Sequence, residues 1–368
     1  MQKKKIWTIL CVVLLLSLAL AACSQQVDEP AVEAPEVEES EVEEPEVVEE
    51  PVAEELPTVV RWACITTDTI EQPWHTAFQQ AFDRVAADPP YGLEMVMTCT
   101  ENVAPPDAER ILRQYVETGN YDIVLAHSTY YEAVQALAPE YPSIPWLYTG
   151  AGNEPIGGNG YWGDVFIHEP AYLAGMIAGS LTETNKLGVV GAYPFPNVNG
   201  PVNAFYDGAK AVNPDVEMTV SYIESWFDPV KGKEAATAQI ATGVDIIYAE
   251  RFGPFEAAQE AGILAFGHFL DQNSLAPDTV VASPMALWDP TIRYIIEAWW
   301  QNKVNGVPYD APMNDIIFSF LDGGSALSPY HGFADVIPQE VQDLVEETRQ
   351  QILSGELVIP LKTEAFEN

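Results

Sequence analysis

From Thr58 onward, apolar runs and amphipathic segments alternate along the chain. VVRWACIT (59–66) is nearly continuous in apolar residues, whereas WHTAFQQAFDRVAAD (74–88) repeats them at helical spacing. The alternation continues through LEMVMTCT, YDIVLAHS and IPWLYTG as strands, with DAERILRQYVETGN and STYYEAVQALAPEY as helices. YWGDVFIHE is a further extended piece, and PAYLAGMIAGSLTETN is a helix with enough small residues to pack closely on a neighbour. The rhythm then restarts. KLGVVGAYP, VEMTVSYIESW, VDIIYAE and ILAFGHF predict strands, while GPVNAFYDGAKAVNP, PVKGKEAATAQIATG and PFEAAQEAG predict helices. Near-continuous apolar strands alternating with helices predict parallel sheets covered on both faces. Two such blocks predict two doubly wound lobes, in which ligands sit beyond the carboxyl ends of the strands.

The N-terminus changes the picture first. Three lysines (Lys3, Lys4, Lys5) precede a short apolar run, which ends at Leu20-Ala21-Ala22-Cys23. Small residues before a cysteine, after such a run, predict a lipoprotein signal over 1–22 and an acylated Cys23 outside the cytoplasm. A plain transmembrane anchor is the alternative, but the run is short against the about 20 residues a bilayer span needs. Residues 23–57 then carry fourteen acidic side chains, Asp28 to Glu55, with regular Pro and no Lys or Arg. Such a segment buries too little apolar surface to offset its ordering entropy, and predicts an extended tether.

The body from Thr58 holds 13 Lys+Arg against 41 Asp+Glu. That excess of negative charge argues against nucleic acid and against an anionic membrane surface as partners. Two cysteines remain in it, Cys64 and Cys99, each near a strand end and without CxxC or clustered His. In an exported chain this pair reads as a disulfide before a metal site, with buried free thiols as the alternative.

The strand-end loops are rich in aromatics. Trp74 and His75 follow the first strand, Tyr130 and Tyr131 the third, Trp162 lies in YWGD, and Trp226 follows VEMTVSYIES. Glu250 and Arg251 follow VDIIYA, Asp271 follows ILAFGHF, and Trp288 precedes the helix PTIRYIIEAWW. A single ring of this kind is more often core than ligand contact. Their recurrence at strand ends in both blocks predicts an interlobe cleft for a planar, polar-edged ligand such as a nucleobase. If Trp74 stacks on the ligand, replacing it should weaken binding and spare stability; a large stability loss would mark it as core. No GxSxG elbow, Walker loop, HExxH or metal-spaced His set is present, so no catalytic or cofactor role is expected.

The pieces AYLAGMIAGSLTETNKLGVVGAYPFP, NAFYDGAKAVNP, SWFDPVKGKEAATAQIATGVDIIYAE and VIPQEVQDLVEETRQQILSGEL, in this order, resemble the basic membrane protein family of solute-binding lipoproteins that feed ABC importers, and within it the purine-binding branch. The resemblance spans roughly Val59 to Leu361. It implies a type I periplasmic-binding-protein fold, α/β, with two doubly wound parallel-sheet lobes joined by a three-strand hinge. It also implies a purine base or nucleoside as ligand and an ABC permease as partner, in a lipid-anchored, extracytoplasmic monomer. The expected lobes are 58–183 with a return segment at about 284–310, and 184–283 with about 311–335; residues 336–368 form a C-terminal helix and tail.

Carried over by position, Trp74 is the stacking aromatic, Glu71 stands where an Asp is common, and Trp226 is the aromatic of SWFDP. Glu250 matches an Asp, and Asp271 the second of two frequent acids, but Phe269 occupies the first. Phe cannot accept from ribose hydroxyls, and an unpaired buried hydroxyl costs about 1–3 kcal/mol. A free base such as adenine is therefore expected over a nucleoside. The expected ligand contacts are Trp74, His75, Glu71, Tyr131, Trp162, Trp226, Glu250, Asp271 and Trp288. The rival classes are a binding protein for a sugar or autoinducer, a surface receptor or adhesin, and a nucleoside hydrolase. The last would need clustered carboxylates that no strand end supplies.

Overall fold

The computed structural model describes residues 55–150 and 152–367. The signal segment, Cys23 and the tether up to residue 54 lie outside the described residues. No described helix is long and apolar enough to cross a membrane.

The first sheet has five parallel strands: β1 (Val59–Thr66), β2 (Glu94–Thr100), β3 (Ile123–His127), β4 (Trp146–Thr149) and β5 (Gly160–Gly163), ordered β2-β1-β3-β4-β5. Helices α1 (Pro73–Ala87), α2 (Pro105–Glu117) and α3 (Tyr131–Leu137) connect them. The central β3, covered on both faces, is buried at every position, while β2 at the rim alternates exposed with half-buried residues. Cys64 and Cys99 lie opposite each other on β1 and β2 and are joined as a disulfide. The second sheet repeats the winding with four parallel strands: β6 (Lys186–Gly191), β7 (Glu217–Tyr222), β8 (Ile246–Ala249) and β9 (Leu264–Phe266), ordered β7-β6-β8-β9.

Packing moves two segments from where chain position put them. Helix α4 (His168–Leu181), expected with the first lobe, contributes Leu173, Ala174 and Ile177 to the same core as Val189, Phe205 and Phe266 of the second. Glycine makes this possible. Gly175 faces the backbone of Phe205 on α5 (Pro196–Val212), and Gly208 faces that of Tyr172, so a Cβ at either would collide with a carbonyl oxygen. The segment expected at 311–335 in the second lobe is divided. Ala311 and Ile316 join the first lobe's core, Phe320 and Phe333 the second's. Helix α5 also starts earlier than the pattern around Gly200 predicts, because Pro196 is preset for a first helical turn.

The chain crosses between the two cores three times: after β5, between β9 and the helix α8 (Asp289–Asn305), and between Ile316 and Phe320. Short antiparallel strands β10 (Pro284–Ala286) and β11 (Ser325–Leu327) pair beside the later crossings. Helix α8 returns to the first lobe, burying Trp288, Ile292, Ile296 and Trp299 in one core with Trp62 of β1 and Phe78 of α1. Helix α9 (Gln339–Leu353) lays Val345 and Ile352 on the second core.

Candidate functional site

Both sheets reverse their winding between the first two strands laid down at their centres, β1/β3 and β6/β8, and the loops leaving those strands diverge to opposite faces. The space left there is a narrow cleft with a free volume of about 40 Å³. The first lobe lines it with Thr67, Asp68, Gln72, Trp74 and His75 after β1, Ser128 and Thr129 after β3, and Gly150 after β4. The second supplies Asn197 and Val198 at the start of α5, Trp226 after β7 and Arg251 after β8; Phe269, on a crossing, closes the floor.

The Trp-His pair is set by the helix start. Gln72 caps α1, its Oε1 accepting from the backbone N–H of Trp74 at 2.6 Å and of His75 at 3.3 Å. The indole of Trp74 then lies parallel to His127, centroids 5.5 Å apart, with edge contacts to Trp288 at 5.0 Å and Phe269 at 5.3 Å. Only 8% of Trp74 is exposed. It is a core side chain whose free edge reaches the cleft.

His127 behind it is held at both ring nitrogens. Nε2 lies 3.2 Å from the Trp74 carbonyl and Nδ1 2.8 Å from Thr149 Oγ1. The carbonyl can only accept, so Nε2 carries the proton and Nδ1 accepts from the hydroxyl. Burial holds this imidazole neutral, well below its ordinary pKa. His75 is buried too, and burial lowers its pKa to about 3. Neither of its ring nitrogens has a partner, so a neutral donor and acceptor pair stands at the cleft lining.

The opposite wall is ionic. Arg251 donates from Nε to Glu250 Oε2 at 2.7 Å, from Nη2 to Glu250 Oε1, and from Nη1 to the Trp226 carbonyl at 3.1 Å. Glu250 Oε2 also accepts from the Ala192 N–H at 3.0 Å. Both side chains are almost wholly buried, so each neutralises a charge that would otherwise be stranded. Trp226 is half-buried, stacked on Phe195 at 5.7 Å with the Arg251 guanidinium 5.7 Å from its ring centre. His268, behind this wall, bonds the Tyr248 hydroxyl at 2.7 Å through Nδ1; burial and Arg251 keep it neutral.

Of the sequence candidates, the fold brings Trp74, His75 and Trp226 to the cleft. The others sit elsewhere. Glu250 stands behind Arg251 with both carboxylate oxygens engaged. Trp288 is fully buried under Trp74. Trp162 donates through Nε1 to the Gly150 carbonyl at 3.1 Å and so braces a lining loop. Glu71 is exposed and Tyr131 half-buried, and neither lines the cleft. Asp271 faces a second cavity, its Oδ2 2.7 Å from His331 Nε2. Asp68, Gln72, Asn197 and Arg251 were not singled out as contacts from sequence; their signal was position in strand-end loops, which are full of ordinary polar residues. Among the described residues no group of three or more His, Cys, Asp or Glu is placed to hold a metal ion.

The model of the Bmp family, described as ABC transporter substrate-binding protein PnrA-like, matches residues 71–307. A Haloferax volcanii protein bearing the provisional name of an ABC transporter glucose-binding protein is 32% identical over 293 residues, 77% of this chain and 69% of that one. A purine-binding protein of Brucella abortus is 29% identical over 273 residues, 72% of this chain and 73% of that one. In architecture, an ABC transporter solute-binding protein from Conexibacter woesei aligns with a TM-score of 0.64 at 21% identity, over 82% of this chain and 99% of its own. The shared architecture is the two-lobed periplasmic-binding fold of type I.

Proposed function

This chain belongs to the Bmp family of PnrA-like ABC transporter substrate-binding proteins, and we propose that it captures a purine base or purine nucleoside in the interlobe cleft. The family consists of solute-binding proteins and not of enzymes, and its members deliver their ligand to an ABC transporter. One observation carries the purine reading. Aromatic rings line the cleft from both lobes, Trp74 with Phe269 from one and Trp226 from the other, and the polar groups Asp68, Asn197 and Arg251 line it with them. A flat heteroaromatic ring suits such a slot. Stacking on a protein ring is worth about 1–3 kcal/mol per base, and the edge groups supply orientation.

Binding then works by selection of the closed state. A ligand resting on one wall gains its second set of contacts only when the other wall swings onto it about the three crossings, so occupancy favours closure by that difference in contact energy. The Asp271–His331 contact bridges the second crossing and the segment after β11, where such a motion would be felt. Lipidation of Cys23, with the acidic stretch as a tether, would hold the lobes at the membrane face where the permease sits.

A sugar is the second reading, favoured by the name of the Haloferax volcanii relative and by the same lining, since rings flanked by Asp, Asn and Arg also suit a hexose. Calorimetric titration of protein stripped of carried ligand by unfolding and refolding separates the two. Heat with adenine, hypoxanthine, guanine or their nucleosides and none with glucose is the expected result. Heat with glucose alone would replace the purine reading by the sugar one.

A further inference from the structure

The geometry points to an oxo-purine, with a ring carbonyl and an adjacent ring nitrogen acceptor, over an amino-purine such as adenine, because Arg251 and not Glu250 faces the cleft. This rests on the purine reading and narrows it. Sequence position made Glu250 the expected ligand contact after β8. In the fold that carboxylate is spent on Arg251 and on the Ala192 N–H, and does not line the cleft. What lines it is the guanidinium, buried, locked at Nε and Nη2 by Glu250, and held at Nη1 by the Trp226 carbonyl.

A guanidinium carries five N–H donors and no acceptor. Three are given to these partners, which leaves one on each terminal nitrogen. Arginine pairs in bidentate fashion with the O6 and N7 acceptors on the outer edge of an oxo-purine. Adenine presents a donor and an acceptor on that edge, which suits Asn or Gln instead. An amine against Arg251 would set donor against donor in a site where neither can turn to water. The oxo-purine's ring N–H, which adenine lacks at the neighbouring position, needs an acceptor. Asn197 Oδ1, buried at the cleft and without a partner, is available for it, and Asp68 lies on the facing wall. The guanidinium's charge is already matched by Glu250, and the wall opposite carries Asp68, so the cleft does not favour an anion. A neutral ligand with paired acceptors fits both facts.

The test compares hypoxanthine with adenine by calorimetry on the purified, ligand-stripped protein. Hypoxanthine is expected to bind at least tenfold more tightly. In Arg251→Lys, which keeps a cation beside Glu250 but loses the fork, the preference should fall to within about threefold. The double variant Glu250→Gln/Arg251→Gln removes both buried charges together and keeps an acceptor for Ala192. With Gln on the outer edge it should shift the preference toward adenine. Adenine binding as tightly as hypoxanthine in the unaltered protein, or a preference for hypoxanthine unchanged in both variants, overturns the inference while leaving the purine reading standing. Binding of neither base and of neither inosine nor adenosine overturns the purine reading, and this one with it.

Discussion

On the first-lobe side of the cleft, Trp74 is wedged among His127, Trp288 and Phe269, and its helix start is pinned by the Gln72 cap. On the second-lobe side, Trp226 is half-buried and rests on Phe195, while Arg251 is placed by hydrogen bonds to Glu250 and to a backbone carbonyl. The first wall is held by ring packing that exists without a ligand. The second is held by directional polar contacts around a half-buried ring. Equivalent strand ends in one repeated winding thus give a close-packed aromatic platform and a hydrogen-bonded polar wall. Fixed shape on one side and chemical choice on the other is a reasonable division of labour for a protein that must close on its ligand.

The comparison breaks most visibly at Trp74. Emptying a buried indole site costs about 3–5 kcal/mol, so Trp74→Ala should lower the melting temperature of the free protein strongly, as well as weaken binding. A ligand contact without a core role would leave thermal unfolding almost unchanged, and calorimetric melting distinguishes them. Next comes Arg251→Met. Stranding the buried Glu250 carboxylate should cost about 3 kcal/mol or more in denaturant unfolding, and the Glu250→Gln/Arg251→Gln pair should recover most of it.

Trp226→Ala is the milder counterpart of Trp74→Ala. Its half-exposed ring should matter little to stability, yet its loss should weaken purine binding about tenfold, near 1.4 kcal/mol. Equal stability losses at the two tryptophans would erase the distinction between the walls.

A smaller, pH-dependent effect belongs to the hinge between them. Asp164 lies on the first crossing, where burial raises its carboxyl pKa to about 7, with Asp315 adding to the rise and the Val165 N–H opposing it. A carboxyl whose folded pKa is raised supports stability at pH values below its ordinary range, and that support is lost as pH rises through about 7. Asp164→Asn should therefore gain thermal stability relative to the native chain as pH goes from 4 to 8. A constant difference across that range would deny the buried carboxyl this role.

The two-sheet fold was legible because the central strands are apolar almost through their length and most helices keep a polar stripe. The boundaries were less so. Nothing in AYLAGMIAGS says which sheet it will cover, since the deciding fact is the close approach of Gly175 and Gly208 to a partner helix. Trp74 and Trp226 were found as strand-end aromatics, but exposure, which separates the buried ring from the half-buried one, depends on neighbours as distant as Trp288. The sequence places Glu250 and Arg251 together at a strand end, but only Glu250 was expected to touch the ligand. Adjacent opposite charges after a strand do not say which of them turns to the cleft; here the carboxylate is drawn inward by the Ala192 N–H, leaving the guanidinium at the lining. Asp271 was misleading for the related reason that its loop carries Phe269 to the floor with a left-handed φ of 62°, and Asp271 itself lines a different cavity.

The most direct measurement is a crystal structure of the protein grown with hypoxanthine. The account predicts the base in the cleft between the Trp74 edge and the Trp226 ring, with its carbonyl oxygen and neighbouring ring nitrogen on the Arg251 fork. A base bound away from this cleft, for instance beside Asp271 and His331, or a cleft that stays empty under saturating hypoxanthine while accepting glucose, would contradict it.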